Sequence, residues 1–132
     1  MTYVKDIVGT YLHFQDDGSV NTVDVSDTFW ARLAAGVHSE LDQGRLMSAF
    51  TFSEPWSTWE RHPAGEELVM LLSGSAVVVL DEAGREHTVP LSRSGAYVLV
   101  PRNVWHTART SVQTTMLFLT PGAGTEHRPV NA

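Results

Sequence analysis

From residue 45 onward, hydrophobic and polar positions alternate in short runs that are typical of β-strands. Such alternation places one set of side chains on each face of a sheet, and helical periodicity is nearly absent in this part of the chain. Turn-forming Pro, Gly, Asn and Asp separate the runs at the spacing expected of a sandwich or barrel. The predicted strands cover residues 46–52, 58–62, 68–72, 76–80, 86–91, 96–100, 105–109 and 114–119.

The first forty residues have a different pattern. Residues 9–14 and 19–25 flank an Asp-Asp-Gly turn and predict an outer β-hairpin. Residues 28–35 form a predicted short helix that a preceding Ser-Asp pair caps and Gly36 ends. A meander of this many strands without intervening helices closes its edges as two packed sheets or as a roll. The expected fold class is therefore all-β, a jelly-roll barrel with one short N-terminal helix.

Length and charge narrow the function classes. The chain has 132 residues and a mass of 14.5 kDa, so we expect residues 1–132 to form a single domain. Nine Lys and Arg against fifteen Asp and Glu give 9 − 15 = −6, with no basic run. Nucleic acid and anionic membranes are poor partners for such a surface. The N-terminal residues lack an export pattern, which predicts a cytoplasmic protein.

Cysteine is absent, which removes disulfides, thiolate nucleophiles and sulfur-ligated metal sites. Any metal must therefore be bound by His, Asp or Glu. Residues 58–74 carry suitable side chains, because Glu60 and His62 are two apart on a strand and share a face. A Pro-Ala-Gly turn follows, after which Glu67 begins an apolar run that ends at Gly74.

Residues 95–109 form a second informative segment. Gly95 begins a buried strand, a tight turn follows at Pro101 to Asn103, and His106 lies just after the turn. Together the two segments resemble the two sequence motifs of the cupin superfamily. The first motif reads Gly, a spacer, His-x-His, three or four residues, Glu, six residues, Gly. The second reads Gly, five residues, Pro-x-Gly, two residues, His.

The spacing of both motifs matches, but two residue types differ. Asn103 replaces the second motif's Gly, a change that costs little because Asn tolerates the left-handed conformation. Glu60 stands where the first motif has its first His. The resemblance implies a double-stranded β-helix and a divalent metal site made of Glu60, His62, Glu67 and His106.

This set of two imidazoles and two carboxylates suits iron, manganese, nickel, cobalt or zinc, and the extra carboxylate favours the harder ions. If Glu60 does not bind the metal, the other three form a two-His, one-carboxylate set with open coordination positions. Glu60 is then a proton donor or acceptor in the pocket, or marks a cupin that has lost its metal.

Residues around the motifs are assigned by strand alternation. Glu66 lies opposite Glu67 and is expected in solvent, and Trp59 and Trp105 point away from the ligands. The remaining four histidines have no motif around them and are expected to be ordinary surface residues: His13, His38, His87 and His127. The expected pocket walls are Phe50, Phe52, Val69, Val104 and Phe118.

Three functions are compatible with this sequence. The first is a metal-dependent enzyme acting on a small organic molecule, for which the resemblance implies dioxygenase, isomerase, decarboxylase or lyase activity. The second is a non-catalytic module that senses a ligand or a metal, and the third is a degenerate cupin with a structural role. The motifs do not discriminate among these reactions or name the catalytic residues. Exposed sheet edges also predict a homodimer.

Overall fold

A computed structural model describes residues 3–130 of the chain, which fold into antiparallel sheets. Every strand predicted from the sequence is present, as are the N-terminal hairpin and the short helix. The strands are β1 (Thr10–Phe14), β2 (Val20–Asp24), β3 (Arg45–Phe52), β4 (Thr58–Arg61), β5 (Glu67–Ser73), β6 (Ala76–Glu82), β7 (Arg85–Leu91), β8 (Tyr97–Val100), β9 (Trp105–Arg109), β10 (Thr114–Pro121) and β11 (Glu126–Pro129). The helices are α1 (Phe29–Ala34) and a 3₁₀ helix (Ser39–Asp42).

The strands form one six-stranded and one five-stranded sheet. Their orders are β2-β1-β3-β10-β5-β8 and β11-β4-β9-β6-β7. The main core contains buried side chains of both sheets, among them Leu71 and Met116 from the larger sheet and Val78 from the smaller. Non-sequential neighbours within each sheet and a core between two antiparallel sheets define the predicted jelly roll.

The N-terminal segments enlarge the barrel at one end. Tyr11 on β1, Phe29 on α1 and Leu41 on the 3₁₀ helix form a second buried cluster with Leu46 of β3. The Phe29 ring meets the Tyr11 ring edge to face at 5.3 Å between centroids, a favourable aromatic geometry. The hairpin therefore extends the larger sheet at one edge, and α1 and the 3₁₀ helix pack against the inner side of β1 and β3.

Two motif positions adopt the left-handed conformation. Gly74 has φ of 82°, and a Cβ placed there meets the Gln113 carbonyl oxygen at 2.4 Å, so only glycine fits. Asn103 has φ of 63°, as expected for a residue that replaces glycine in the tight turn. The turn between β8 and β9 thus keeps its geometry despite the substitution.

The outer face of the six-stranded sheet is apolar across five strands. One cross-strand row consists of Leu12, Met47, Leu119, Leu68 and Leu99. The next row consists of Ala49, Leu117, Met70 and Tyr97. Tyr97 and Leu99 are 58% and 53% exposed, which is high for such large apolar side chains. We call these two rows the outer apolar face.

None of the described helices is long and apolar enough to cross a membrane.

Candidate metal centre

Three strands bring the four motif residues together at one end of the barrel. Glu60 and His62 come from β4 and the residue after it, and Glu60 pairs directly with His106 of β9 in the smaller sheet. Glu67 reaches the same point from the opposite sheet, at the start of β5. His62, Glu67 and His106 are all at least 96% buried, whereas the Glu60 side chain is 22% exposed. We call these four residues the buried cluster.

One nitrogen or oxygen from each member lies within 4.8 Å of the corresponding atoms of the others. His106 Nε2 is 2.8 Å from Glu67 Oε1 and 3.4 Å from Glu60 Oε1. His62 Nε2 is 3.2 Å from Glu67 Oε2 and 3.6 Å from Glu60 Oε1. Ligands about 2.1 Å from a common metal ion are about 3.0–3.4 Å apart in octahedral or tetrahedral geometry, close to these separations.

The direction of these contacts also fits a shared ion. Although the atoms are close, His62 Nε2, His106 Nε2 and Glu67 Oε1 are buried and have no well-directed hydrogen-bond partner among the described residues. Buried polar atoms are rarely left without a partner, because the desolvation cost is about 1–3 kcal/mol each. Three such atoms around one point match the donor set that a divalent metal requires.

Charge pairing inside the cluster sets its protonation. Burial lowers the pKa of both imidazoles, but Glu60 and Glu67 outweigh this and raise the pKa of His62 to about 9 and that of His106 to about 10. Burial likewise raises the pKa of both carboxyl groups, yet contacts with the imidazoles hold each below its ordinary value. At neutral pH without metal, the cluster is therefore two carboxylates and two imidazolium groups.

Two threonines orient members of the cluster, and the sequence analysis missed both. The Thr120 hydroxyl donates a 2.6 Å hydrogen bond to Glu67 Oε2. Thr125 Oγ1 lies 2.8 Å from Nδ1 of His62, which leaves Nε2 of that ring facing the cluster. Partners of this kind fix the orientation of metal-binding side chains. A threonine near a motif carries no sequence signal of its own.

His127 is exposed, as predicted, but it is not an ordinary surface residue. It lies on β11 directly opposite Glu60 of the neighbouring strand β4, and its Nε2 is 3.3 Å from Glu60 Oε2. Its side chain is 53% exposed and lines the cavity beside the cluster. This contact was not predicted because residues 126–129 lack the apolar alternation that identifies strands. His127, Glu60 and His106 form a continuous row on three neighbouring strands.

His13 was assigned wrongly to the surface. Its side chain is 2% exposed, and both ring nitrogens have partners, Nε2 at the Gln43 carbonyl oxygen and Nδ1 at Gln15 Nε2. His13 is therefore a structural residue that anchors the loop before β3. His87 is exposed, as predicted, and His38 is partly covered by stacking on Phe29.

A cavity of about 810 Å³ opens beside the buried cluster. Of the predicted walls, Phe50 and Phe118 line it, with centroids 4.9 Å apart in a stacked arrangement. The other three predicted walls, Phe52, Val69 and Val104, belong to the main core or pack against it and do not line the cavity. Trp30 of α1 and Trp56, which were not predicted, complete the aromatic wall.

The opposite face of the same strands carries a different set of side chains. Trp59 and Trp105 point away from the cluster, as predicted, and Glu66 is exposed. The guanidinium groups of Arg61 and Arg128 each lie 4.6 Å from the Trp105 ring centroid. These residues cover the outside of the smaller sheet.

Comparison with known proteins identifies the fold. No protein-family model matches the chain, and no curated protein matches it. A cupin superfamily protein from Desulfitobacterium hafniense is 25% identical, with 58% of this chain and 65% of that chain covered and a TM-score of 0.48. An oxalate oxidase is 18% identical, with 61% and 44% covered and a TM-score of 0.52.

A structure from a study of DMSP lyases is 23% identical, with 66% of this chain and 44% of that chain covered and a TM-score of 0.51. This chain thus spans less than two thirds of each of these three solved chains. The oxalate oxidase and DMSP lyase structures share the fold of this chain. The chain has the cupin fold, which confirms the resemblance predicted from its two motifs.

Proposed function

We propose that residues 1–132 form one cupin domain that binds a divalent metal through Glu60, His62, Glu67 and His106. The observation that carries this proposal is the convergence of four buried or partly buried donor atoms, three of which lack a directed hydrogen bond. The two carboxylates favour iron or manganese, while nickel and zinc also accept this donor set.

We propose further that the domain is a metalloenzyme acting on a small organic molecule of the cavity, with dioxygenase, isomerase or lyase chemistry. A bound metal of this kind supplies Lewis acidity or a coordination position for oxygen or water. The chain's own contributions are the aromatic wall that positions the molecule, and Thr120 and Thr125, which orient Glu67 and His62. His127 contacts Glu60 and also lines the cavity.

Elemental analysis tests the metal site. The protein is purified without a histidine tag or chelator, beside His62→Ala and His106→Ala, and His87→Ala serves as the control because His87 is exposed on β7. We expect about one metal ion per chain in the native protein and the control, and almost none in the two cluster variants. Absence of metal from the native protein after reconstitution with iron, manganese, nickel and zinc contradicts the proposal.

Turnover separates the enzyme from the alternative, a non-catalytic sensing module. The metal-loaded protein is incubated with a panel of small oxo-acids, phenols and sugars, and products are followed by mass spectrometry. Product formation that His106→Ala abolishes supports the enzyme. Stoichiometric metal binding without turnover supports the sensing module, whose ligand then changes the binding of a partner.

We also propose that the protein is a homodimer that buries the outer apolar face. The five strands of this face are about 20 Å across at about 4.8 Å per strand, and its two rows hold no charged side chain. Since each chain carries a net charge of −6, two copies repel least across this uncharged surface. A second copy, which presents the same apolar rows, is therefore its occupant.

Sedimentation velocity tests this interface. Leu68→Lys places a charge within the outer apolar face, and Thr88→Lys places one on an exposed position of β7 in the other sheet. We expect a dimer for the native protein and the Thr88 variant, and a monomer for the Leu68 variant. A native monomer at micromolar concentration contradicts the proposal.

A cytoplasmic location, with a small molecule rather than nucleic acid or a membrane as partner, completes the proposed function.

A further inference from the structure

The cavity is lined by carboxylates and histidines, but by no Lys or Arg among residues 3–130. Asp42, Glu60 and Glu67 line it together with His62 and His127. All nine Lys and Arg of the given sequence lie within residues 3–130, so the residues outside this range contribute no Lys or Arg to the cavity. A carboxylate ligand in such a pocket has no guanidinium or ammonium group to pair with, which is the usual requirement for binding it.

A metal in the buried cluster does not restore positive charge. Two carboxylates, Glu60 and Glu67, against one divalent ion give 2 − 2 = 0, and Asp42 adds a negative charge at another part of the cavity wall. Without the ion, Glu60 and Glu67 face an equal number of imidazoles, those of His62 and His106. An anion that leaves water for this cavity therefore meets a neutral to negative field in either form. An uncharged molecule incurs no such cost.

The composition of the walls favours an apolar ring body. The rings of Phe50, Phe118 and Trp56 contact one another, with Phe118 stacked on Phe50 at 4.9 Å, Trp56 at 5.6 Å from Phe118, and Phe50 and Trp56 6.0 Å apart. Trp30 meets Phe50 at 5.9 Å. Neutral hydroxyl groups of Ser48 and Thr58 also line the cavity and supply hydrogen bonds without charge. The volume of about 810 Å³ accommodates a two-ring molecule.

We propose that this cavity binds uncharged molecules with an aromatic ring body and a neutral oxygen function, an alcohol or a carbonyl, and discriminates against the corresponding carboxylates. The inference rests on the proposed function in taking the cavity as the substrate site. The selectivity itself comes from the walls, so it is expected in the metal-free and the metal-loaded protein alike.

Equilibrium dialysis with a matched pair of probes tests this selectivity. 2-Naphthalenemethanol and 2-naphthoate share a ring system and differ in the charge of one substituent. We expect the alcohol to bind at least tenfold more tightly than the carboxylate, both in EDTA and after loading with Mn²⁺. Equal or tighter binding of the carboxylate in either form overturns the proposal, and so does failure of both probes to bind.

Variants connect the selectivity to the residues. Phe50 and Phe52 are partly buried neighbours on the inward face of β3, but only Phe50 lines the cavity. We expect Phe50→Ala to weaken alcohol binding at least fivefold and Phe52→Ala to leave it within twofold. Asp42→Asn is expected to bring the carboxylate closer to the alcohol in affinity. Equal losses in the two Phe variants contradict binding in this cavity.

Metal content measured on the same samples separates this inference from the proposed function. Preference for the alcohol in a protein that never binds metal overturns only the metal proposal. Stoichiometric metal with preference for the carboxylate overturns only the cavity proposal.

Discussion

The two faces of strands β4, β9 and β11 pair carboxylates with basic side chains in different ways, with Arg on the outer face and His on the inner face. On the outer face, Arg61 Nε donates to Glu126 Oε1 at 3.1 Å and an Arg128 guanidinium nitrogen donates to Asp81 Oδ2 at 2.7 Å. On the inner face, the buried cluster brings atoms comparably close, but three of them, His62 Nε2, His106 Nε2 and Glu67 Oε1, make no directed hydrogen bond.

The contrast arises from alternation. Glu60 and Arg61 are consecutive residues of β4 that face opposite sides, as are Trp105 and His106 of β9. A surface on which every charged group makes a hydrogen bond is typical of a structural role. Buried polar atoms that make no directed hydrogen bond indicate instead that a ligand binds there. Short distances alone therefore do not identify a functional site; the direction of the donors does.

The largest expected effect is on the inner face. Glu67→Gln removes a carboxylate that is 2% exposed and leaves the imidazolium groups without one counter-charge. We expect the free energy of unfolding of the metal-free protein at pH 7 to fall by about 3–5 kcal/mol, as for other broken buried pairs. Urea denaturation in EDTA measures it.

The matched outer-face variant is Asp81→Asn, which breaks the ion pair with Arg128 but keeps an oxygen for the Gly84 amide. We expect this variant to lower the free energy of unfolding by about 1 kcal/mol. Equal costs for the two variants would show that the cluster is not charged in the metal-free state.

The pH dependence of stability sharpens the same contrast. The pKa values of His62 and His106 are raised to about 9 and about 10. The contribution of these two residues to the free energy of unfolding is therefore complete below about pH 6.5 and is lost as the pH rises through 9 to 10. The pKa values of Glu60 and Glu67 are lowered, so the stability that these carboxylates contribute is lost only when the pH falls into the acid range. The melting temperature of the metal-free protein should fall by at least about 5 °C between pH 7 and pH 10.5.

Metal should remove this fall, since imidazole coordinates as the neutral base and proton release favours binding at higher pH. Differential scanning calorimetry with and without Mn²⁺ compares the two forms. His106→Gln is the control, with a smaller loss between the same pH values in EDTA. A pH-independent melting temperature in the metal-free native protein contradicts the ion pairing.

Most of the fold followed from the sequence because it depends on local signals. Strand alternation and turn residues gave the strands from β3 to β10, and motif spacing identified the four cluster residues, including Glu60 in the place of a histidine. The strand β11 had no such signal. Its Glu-His-Arg-Pro sequence becomes a strand by pairing with β4, a contact of high sequence separation, and this is why His127 and Thr125 were missed.

The cavity walls illustrate another limit. Alternation correctly placed both Phe50 and Phe52 on the inward face of β3, but it does not tell how far along the barrel each side chain lies. Phe52 lies two residues, or about 7 Å, further along the strand than Phe50. Over this distance the inward face changes from the cavity wall to the main core. Depth is set by how the second sheet and α1 pack, which a single-strand pattern does not encode.

The next effect in size concerns the threonines that orient the cluster. Thr120→Val removes the hydroxyl that donates to Glu67, and we expect metal affinity to fall about 10- to 100-fold. Thr114→Val is the control, since Thr114 is another threonine on the inward face of β10, but it is buried and donates to the Ser75 carbonyl oxygen. Competition with a metal chelator gives both affinities. A tenfold loss in both variants would show a general packing defect.

The smallest effect belongs to the outer face. Arg128→Ala removes the ion pair with Asp81 and the contact with the Trp105 ring, both partly exposed, so the expected loss of stability is about 1 kcal/mol and is smaller in 1 M NaCl. Metal affinity should stay within twofold, because the Arg128 side chain lies on the far side of the sheet from the cluster. A larger loss of affinity would mean that Arg128 fixes β11 firmly enough to hold His127 against Glu60. The outer pair would then help to position the metal site.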